Sequence, residues 1–147
     1  MAAGKLPLVT PESDATTRPR AHDSDAWAGE SVTRMTRAYF DAWKAHDWTA
    51  LRSVLAEDVT FRGPLGTADN REECIAALQR MSPIVTDIVV QQVFLAGADV
   101  LTWYDLQTTV APPSPTANWS HVVNGEITAI RATFDARPFQ PPGQPQT

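Results

Sequence analysis

Alternating apolar and polar residues fill the C-terminal half of the chain, and this pattern predicts antiparallel strands. The segment from Asp99 to Asp135 divides into three such strands joined by two hairpins. The pair Asn124-Gly125 lies between two of them and favours a two-residue type I′ turn, because both central residues of that turn need positive φ. The preceding stretch, residues 86–100, is rich in β-branched residues and predicts one more strand. The sequence therefore predicts four antiparallel strands in succession.

Apolar residues recur at intervals of three and four in the N-terminal half, which predicts helices. One such stripe covers residues 31–45, and a second covers residues 48–56 behind Asp47, which can cap it. A short alternating strand follows and ends at a Gly-Pro pair. A third helix begins after Asp69, whose capping-box partner is Glu72. Helices followed by a strand meander favour an α+β domain in which the helices pack on one face of the sheet.

The two ends of the chain differ in composition from the rest. Residues 1–25 are polar and show no apolar period, and residues 140–147 are rich in proline and glutamine. Segments of this kind bury too little apolar surface to offset the entropy lost on ordering, so we expect both to be disordered. One domain, residues 26–139, lies between them.

Composition and charge narrow the range of partners. The formal net charge is −5, which argues against nucleic acid because phosphate binding requires a basic surface. No apolar run reaches the roughly 18–20 residues of a membrane span, and the single cysteine, Cys74, cannot form an intrachain disulfide. We therefore expect a cytoplasmic protein without a membrane segment. The three histidines, His22, His46 and His121, lie far apart without metal-ligand spacing, so no metal or other cofactor is expected.

The most specific chemical signal is an acid and a histidine on neighbouring predicted strands. If the first hairpin pairs symmetrically about Pro113, Asp105 lies opposite His121 and Gln107 lies opposite Trp119. Cross-strand neighbours have Cβ atoms roughly 4.5–5.5 Å apart, close enough to couple two titrations. This register predicts a carboxylate–imidazole pair beside tryptophan side chains.

Two segments, residues 38–66 and 119–139, together with the order of the elements, resemble the SnoaL-like branch of the NTF2-like (ketosteroid isomerase-like) superfamily. The resemblance implies a cone, in which a curved antiparallel sheet wraps around three N-terminal helices. It also implies a small-molecule pocket in the mouth of the cone and a homodimer through the outer face of the sheet. Members of the family isomerise steroids, cyclise polyketides, hydrolyse epoxides, dehydrate small acids or have no known chemistry, so the fold does not define the reaction.

The resemblance carries over to individual positions only in part. Tyr39 matches the tyrosine that stabilises the dienolate in steroid isomerases, but the position of their base holds Gly63 and their second oxyanion donor aligns near Trp119. The last-strand aspartate of polyketide cyclases and limonene-type epoxide hydrolases aligns with Ala132, which cannot transfer protons. Asp105 matches one of two polar strand positions of the epoxide hydrolases. The resemblance therefore does not support steroid isomerisation.

These observations predict an enzyme of secondary metabolism that needs no cofactor and performs proton-transfer chemistry on a hydrophobic, carbonyl-bearing small molecule. The reaction would be a cyclisation, an isomerisation or a dehydration. Asp105 would orient His121, His121 would move a proton, and Tyr39 would hydrogen-bond the substrate oxygen. The predicted substrate-binding residues are mostly aromatic or apolar: Trp43, Phe61, Trp103, Gln107, Trp119, Ile130 and Phe134. The alternative is a non-catalytic NTF2-like protein that binds a small molecule or dimerises, with Asp105 and His121 forming a structural pair or lying on the dimer face.

Overall fold

A computed structural model describes the backbone of residues 19–140 and the side chains from Gly29 onward in that range. Within it, three helices and six strands form an α+β fold, which confirms the predicted fold class. The elements are α1 (Pro19–Ala45), α2 (Trp48–Val54), β1 (Leu55–Gly63), β2 (Gly66–Ala68), α3 (Arg71–Met81), β3 (Val85–Ala96), β4 (Asp99–Thr108), β5 (Ser114–Val123) and β6 (Glu126–Thr133), followed by a 3₁₀ turn (Arg137–Phe139).

The first helix is longer than its apolar stripe suggested. α1 begins at Pro19 and so includes residues 19–25, which the sequence assigned to a disordered segment. The rest of that segment, residues 1–18, and nearly all of the expected C-terminal tail, residues 141–147, lie outside the described range. None of the helices in residues 19–140 has both the length and the apolarity needed to cross a membrane.

Side-chain caps determine where α2 and α3 begin. Asp47 caps α2 as expected, since its carboxylate accepts a backbone N–H of the first turn at 3.1 Å. The cap of α3 is Asn70, which accepts from the Glu73 N–H at 2.9 Å, while the Glu73 carboxylate accepts from the Asp69 N–H at 2.8 Å. The predicted capping interaction is therefore present, shifted by one residue along the chain.

The described strands form one sheet in the order β2-β1-β6-β5-β4-β3. β3 to β6 pair antiparallel in succession, which confirms the predicted meander. β1 lies parallel to β6, with Phe61 opposite Ile130, and β2 pairs antiparallel with β1. The parallel pair places the end of β1 beside the last strand of the meander.

The hairpin between β5 and β6 forms the expected two-residue turn, with φ of 52° at Asn124 and 78° at Gly125. A bulge at Thr128 then shifts the register, so that His121 pairs with Ala129 rather than with Thr128. Because side chains alternate between the faces of a strand, one extra residue changes which β5 and β6 side chains share a face.

The pairing of β4 with β5 differs from the predicted register about Pro113, which was wrong. Pro115 lies within β5, opposite Asp105, and Asp99 rather than Asp105 lies opposite His121. The prolines made this region resemble a loop, but β5 begins before the last of them.

The helices pack on one face of the sheet, which we call the inner face. Phe40 of α1, for example, packs its ring edge-on against Tyr104 of β4, with centroids 5.1 Å apart. Inner-face side chains of β4, β5 and β6 are buried: Val100, Thr102, Tyr104, Leu106, Ser114, Thr116, Asn118, Ser120, Val122, Ile127 and Ile130. The residues that alternate with them on β4 and β5 are half-buried or exposed and form the outer face.

Candidate functional site

A cavity of about 170 Å³ lies between the inner face of the sheet and the helices. Its walls are mostly apolar with a few polar groups, which is the usual form of a small-molecule site. The lining residues are Tyr39, Trp43, Phe61, Gly63, Pro64, Leu65, Gly66, Ala77, Leu78, Arg80, Met81, Tyr104, Leu106, Asn118, Ala132 and Phe134.

Tyr39 and Trp43 of α1 line the cavity with side chains that are almost fully buried, and we call the part of the cavity beside them the closed end. Tyr39 and Trp43 are one helical turn apart, so their side chains project from the same face of α1, and they are only 1% and 5% exposed. The Tyr39 hydroxyl and Trp43 Nε1 are buried, and neither has a hydrogen-bond partner within the described part of the chain. Buried polar atoms without a partner are rare and costly in proteins, so a hydrogen-bond acceptor in the cavity is a candidate partner for both atoms.

The chemical state of the Tyr39 hydroxyl follows from its surroundings. Burial raises the pKa of Tyr39 well above its ordinary value, and the nearby Cys74 and Tyr104 raise it further. The phenol is therefore protonated near neutral pH and can donate a hydrogen bond. Trp43 Nε1 is a donor only. The closed end therefore suits a ligand atom that accepts hydrogen bonds, such as a carbonyl oxygen.

Tyr104 and Asn118 contribute polar groups from the sheet. Ser120 Oγ donates to Asn118 Oδ1 at 3.2 Å, and the Asn118 side chain also forms a hydrogen bond with the Tyr104 hydroxyl. Burial raises the pKa of Tyr104, and the neighbouring Asn118 side chain opposes this rise. Both residues are therefore neutral groups on the sheet side of the cavity.

The other end of the cavity, which we call the mouth, lies between the β1–β2 hairpin and the last turn of α3. Pro64, Leu65 and Arg80 line it and are exposed. The hairpin is held by Arg62, whose Nη2 forms an ion pair with Asp69 Oδ1 at 2.8 Å. Arg62 thus supports the mouth without lining the cavity.

The structure brings four of the predicted site residues to the cavity: Tyr39, Trp43, Phe61 and Phe134. Phe134 is held by an edge-on contact with Phe139 in the 3₁₀ turn, with ring centroids 5.6 Å apart. Ile130 is fully buried on the inner face but does not line the cavity.

The remaining predicted site residues lie on the outer face and do not line the cavity: Asp105, His121, Trp103, Gln107 and Trp119. Asp105 and His121 are not cross-strand partners, so the predicted pairing of these two residues was wrong. The physical causes are the shifted β4–β5 register and the bulge in β6, which separates Trp119 and His121 from the inner-face residues of β6.

His121 does form an acid–imidazole pair, but its partner is Asp99. His121 Nδ1 and Asp99 Oδ1 are 2.6 Å apart. The imidazole stacks on Trp119, and the Arg131 guanidinium lies 5.9 Å from the centroid of the same tryptophan ring. This cluster lies on the outer face, separate from the cavity.

Sequence reasoning missed three polar residues that line the cavity: Tyr104, Asn118 and Arg80. Tyr104 and Asn118 are strand neighbours of residues that were predicted to face the pocket, and neighbours on a strand point to opposite faces. Only the correct strand pairing could have placed these two side chains on the inner face. Arg80 lies almost one turn beyond Ala77 on α3, a spacing that helical periodicity could have identified.

The cavity is richer in donors than in groups that can take up a proton. None of the described residues that line it is Asp, Glu or His. Across the part of the chain that the structure describes, no three His, Cys, Asp or Glu side chains are grouped as a metal site would require. The arrangement can hold an apolar molecule and polarise a hydrogen-bond acceptor on it.

Solved structures with the NTF2-like fold share this architecture. A protein from Kribbella flavida aligns at 28% identity with a TM-score of 0.68, over 72% of this chain and 88% of that one. An NTF2-like protein of unknown function from Cytophaga hutchinsonii aligns at 25% identity with a TM-score of 0.65, over 74% of this chain and 93% of that one. IdmH, a proposed polyketide cyclase from Streptomyces antibioticus, aligns at 21% identity with a TM-score of 0.63, over 71% and 91% of the two chains. The fold is therefore an NTF2-like cone.

A comparison of the sequence with protein-family models identifies the family of this chain. Residues 36–146 match the model of the SnoaL-like domain. Because this match covers most of the chain, the protein belongs to the SnoaL-like family, and the resemblance found in the sequence is confirmed. No curated protein matches the sequence.

Proposed function

We propose that this protein binds an apolar, carbonyl-bearing small molecule in the cavity and acts on it as a cyclase or isomerase. The observation that carries the proposal is the pair of buried donors without partners, the Tyr39 hydroxyl and Trp43 Nε1. A carbonyl oxygen at the closed end accepts from both and satisfies two polar atoms that are otherwise unpaired. The similarity to a proposed polyketide cyclase is consistent with this reaction class.

The donors act on the carbonyl by stabilising negative charge on its oxygen. A hydrogen-bonded carbonyl has a more electrophilic carbon, and its enolate is more stable because the donors are fixed in place and shielded from water. Both effects promote intramolecular carbon–carbon bond formation and double-bond migration. Solvent water at the mouth takes up the proton that leaves the α-carbon and supplies the proton that the product gains, so the substrate and product have the same atoms. Tyr39 remains a donor throughout, since its raised pKa opposes ionisation. Asp105 and His121 lie on the outer face and have no part in this proposal.

A binding experiment tests the assignment of the donors. Acetophenone, a single ring with a carbonyl, is expected to bind more tightly than the similarly shaped ethylbenzene, measured by protein NMR titration. Tyr39→Phe removes one donor while keeping the ring, and is expected to weaken acetophenone binding about three- to tenfold. Ethylbenzene binding serves as the control and is expected to stay unchanged. Equal weakening of both ligands, or of neither, would contradict the proposal.

The second candidate is a non-catalytic binding protein, and one observation favours it: the described lining of the cavity contains no carboxylate or imidazole. Exchange of the acetophenone methyl hydrogens for deuterium in D₂O separates the two functions, because exchange proceeds through the enolate. The enzyme is expected to accelerate exchange, and Tyr39→Phe to reduce this acceleration about tenfold or more. Binding without acceleration would identify the non-catalytic function.

We also propose that two copies of the chain pair through the outer face of the sheet. Phe94, Leu101 and Trp103 on neighbouring strands β3 and β4 are 54%, 38% and 42% exposed, and Phe94 lies directly opposite Leu101. Apolar groups clustered in this way mark association surfaces more often than free surfaces. A two-fold symmetric contact would cover the cluster on both copies at once.

A further inference from the structure

The mouth of the cavity carries one cation, Arg80. It lies in the last turn of α3, is exposed, and is the only charged residue among the described residues that line the cavity. The closed end is neutral, so the cavity has a polar axis from the donors of Tyr39 and Trp43 to the positive charge of Arg80. A ligand that matches this axis carries an acceptor at one end and an anion at the other.

Arg80 also differs from most of the other described arginines in its contacts. Arg52 and Arg71 pair with Glu72, Arg62 pairs with Asp69, and Arg137 pairs with Asp135 in the turn after β6. No acidic side chain in the described part of the chain forms an ion pair with Arg80. In a protein with a net charge of −5, a guanidinium at a cavity mouth without an acidic partner is available to a ligand anion.

The size of the cavity limits the ligand. An engineered apolar cavity of about 150 Å³ accommodates benzene, so about 170 Å³ holds a body of roughly one ring. A longer molecule must extend through the mouth and therefore past Arg80. The enclosed volume does not accommodate a fused polycyclic skeleton without a change in shape.

We propose that the ligand is a small keto acid, with a carbonyl at the closed end, an apolar body of about one ring, and a carboxylate at the mouth paired with Arg80. This inference rests on the proposed function, since it places the carbonyl on Tyr39 and Trp43. The guanidinium fork matches the two oxygens of a carboxylate, which orients the molecule along the cavity. Arg80 is thus a residue that determines specificity for charge.

Three probe ligands separate this inference from the proposed function. The first, para-acetylphenylacetate, carries a ketone, one ring and a carboxylate. The second, para-acetylphenylacetamide, lacks only the charge, and the third, para-ethylphenylacetate, lacks only the ketone. Dissociation constants are measured by NMR titration at low salt for the wild-type protein, Arg80→Gln and the control Arg37→Gln, which removes an exposed α1 arginine that does not line the cavity.

The wild-type protein is expected to bind the acid about three- to tenfold more tightly than the amide, with the preference falling as salt is added. Arg80→Gln is expected to abolish the preference and Arg37→Gln to retain it. A purely structural Arg80, stabilising the C-terminal end of α3, would weaken both ligands equally or neither. Equal binding of acid and amide by the wild-type protein, no binding of the acid, or a preference that survives Arg80→Gln would overturn the inference. Equal binding of the acetyl and ethyl acids would instead contradict the proposed role of Tyr39 and Trp43.

Discussion

At the scale of single residues, the cavity depends on where α1 places its aromatic side chains. Tyr39 and Trp43 lie on the buried stripe of the helix, yet each carries a polar atom that finds no partner in the described core. Replacing them by apolar residues of similar shape would remove two unsatisfied groups and favour folding. Their presence therefore points to a ligand rather than to stability.

Cys74 supports the closed end from α3 and gives a prediction on chemical reactivity. It is 1% exposed, and burial raises its pKa to about 12. Because the thiolate is the reactive form, we expect the native protein to react with 5,5′-dithiobis(2-nitrobenzoate) at pH 8 at least about a hundredfold more slowly than the denatured chain. The thiol release is followed by absorbance. Rapid reaction of the folded protein would show that α3 opens readily.

At the scale of elements, the β5–β6 hairpin sets which side chains face the cavity. Its turn fixes the pairing at one end, and the bulge at Thr128 shifts the rest of β6 by one residue. Asn118 and Ala132 are thereby opposite each other on the inner face, and both line the cavity. The bulge therefore determines the lining of the cavity, although Thr128 itself does not line it.

The turn itself gives a stability prediction. Gly125 has a φ of 78°, a conformation that costs an L-residue about 1–2 kcal/mol. Gly125→Ala is therefore expected to lower the free energy of unfolding by about 1 kcal/mol, measured by urea denaturation. Gly66→Ala is the matched control, because Gly66 has no positive φ and a Cβ there would meet nothing within 4 Å. Equal effects of the two substitutions would contradict the strained-turn argument.

At the scale of the whole molecule, the two faces of the sheet have separate properties. The inner face and the helices enclose the cavity, whereas the outer face carries the exposed apolar cluster and the His121–Asp99 pair. Strand alternation keeps the two sets of side chains apart. Substitutions on one face are therefore expected to leave the function proposed for the other face unchanged.

Association through the outer face is tested by a charge substitution. Trp103→Glu places a carboxylate in the apolar cluster and is expected to convert a dimer into a monomer, because burying an unpaired charge is costly. Light scattering after size-exclusion chromatography measures the mass. Val110→Glu is the control, since Val110 is 50% exposed in the loop before β5 and outside the sheet. A wild-type protein with the mass of one chain at micromolar concentration would contradict the proposed dimer.

The sequence by itself determined the elements and the family. Apolar spacing along 31–45 and 48–56 marked the cores of the first two helices, and Asn124-Gly125 marked the turn, because these signals arise from neighbours along the chain. Four predicted site residues line the cavity: Tyr39 and Trp43 on α1, Phe61 on β1 and Phe134 after β6. Their placement does not depend on the register between β4 and β5.

Only the tertiary structure decided the strand registers, and with them the site. The register across a proline-containing hairpin decided the partner of His121. One extra residue in β6 decided which β5 side chains share a face with Ile130, because a shift of one residue moves a side chain to the other face of the sheet. Tyr104, Asn118 and Arg80 come from three separate elements and meet only when the sheet curves around the helices. Local patterns specify the faces of single elements, whereas long-range pairing specifies which faces enclose the cavity.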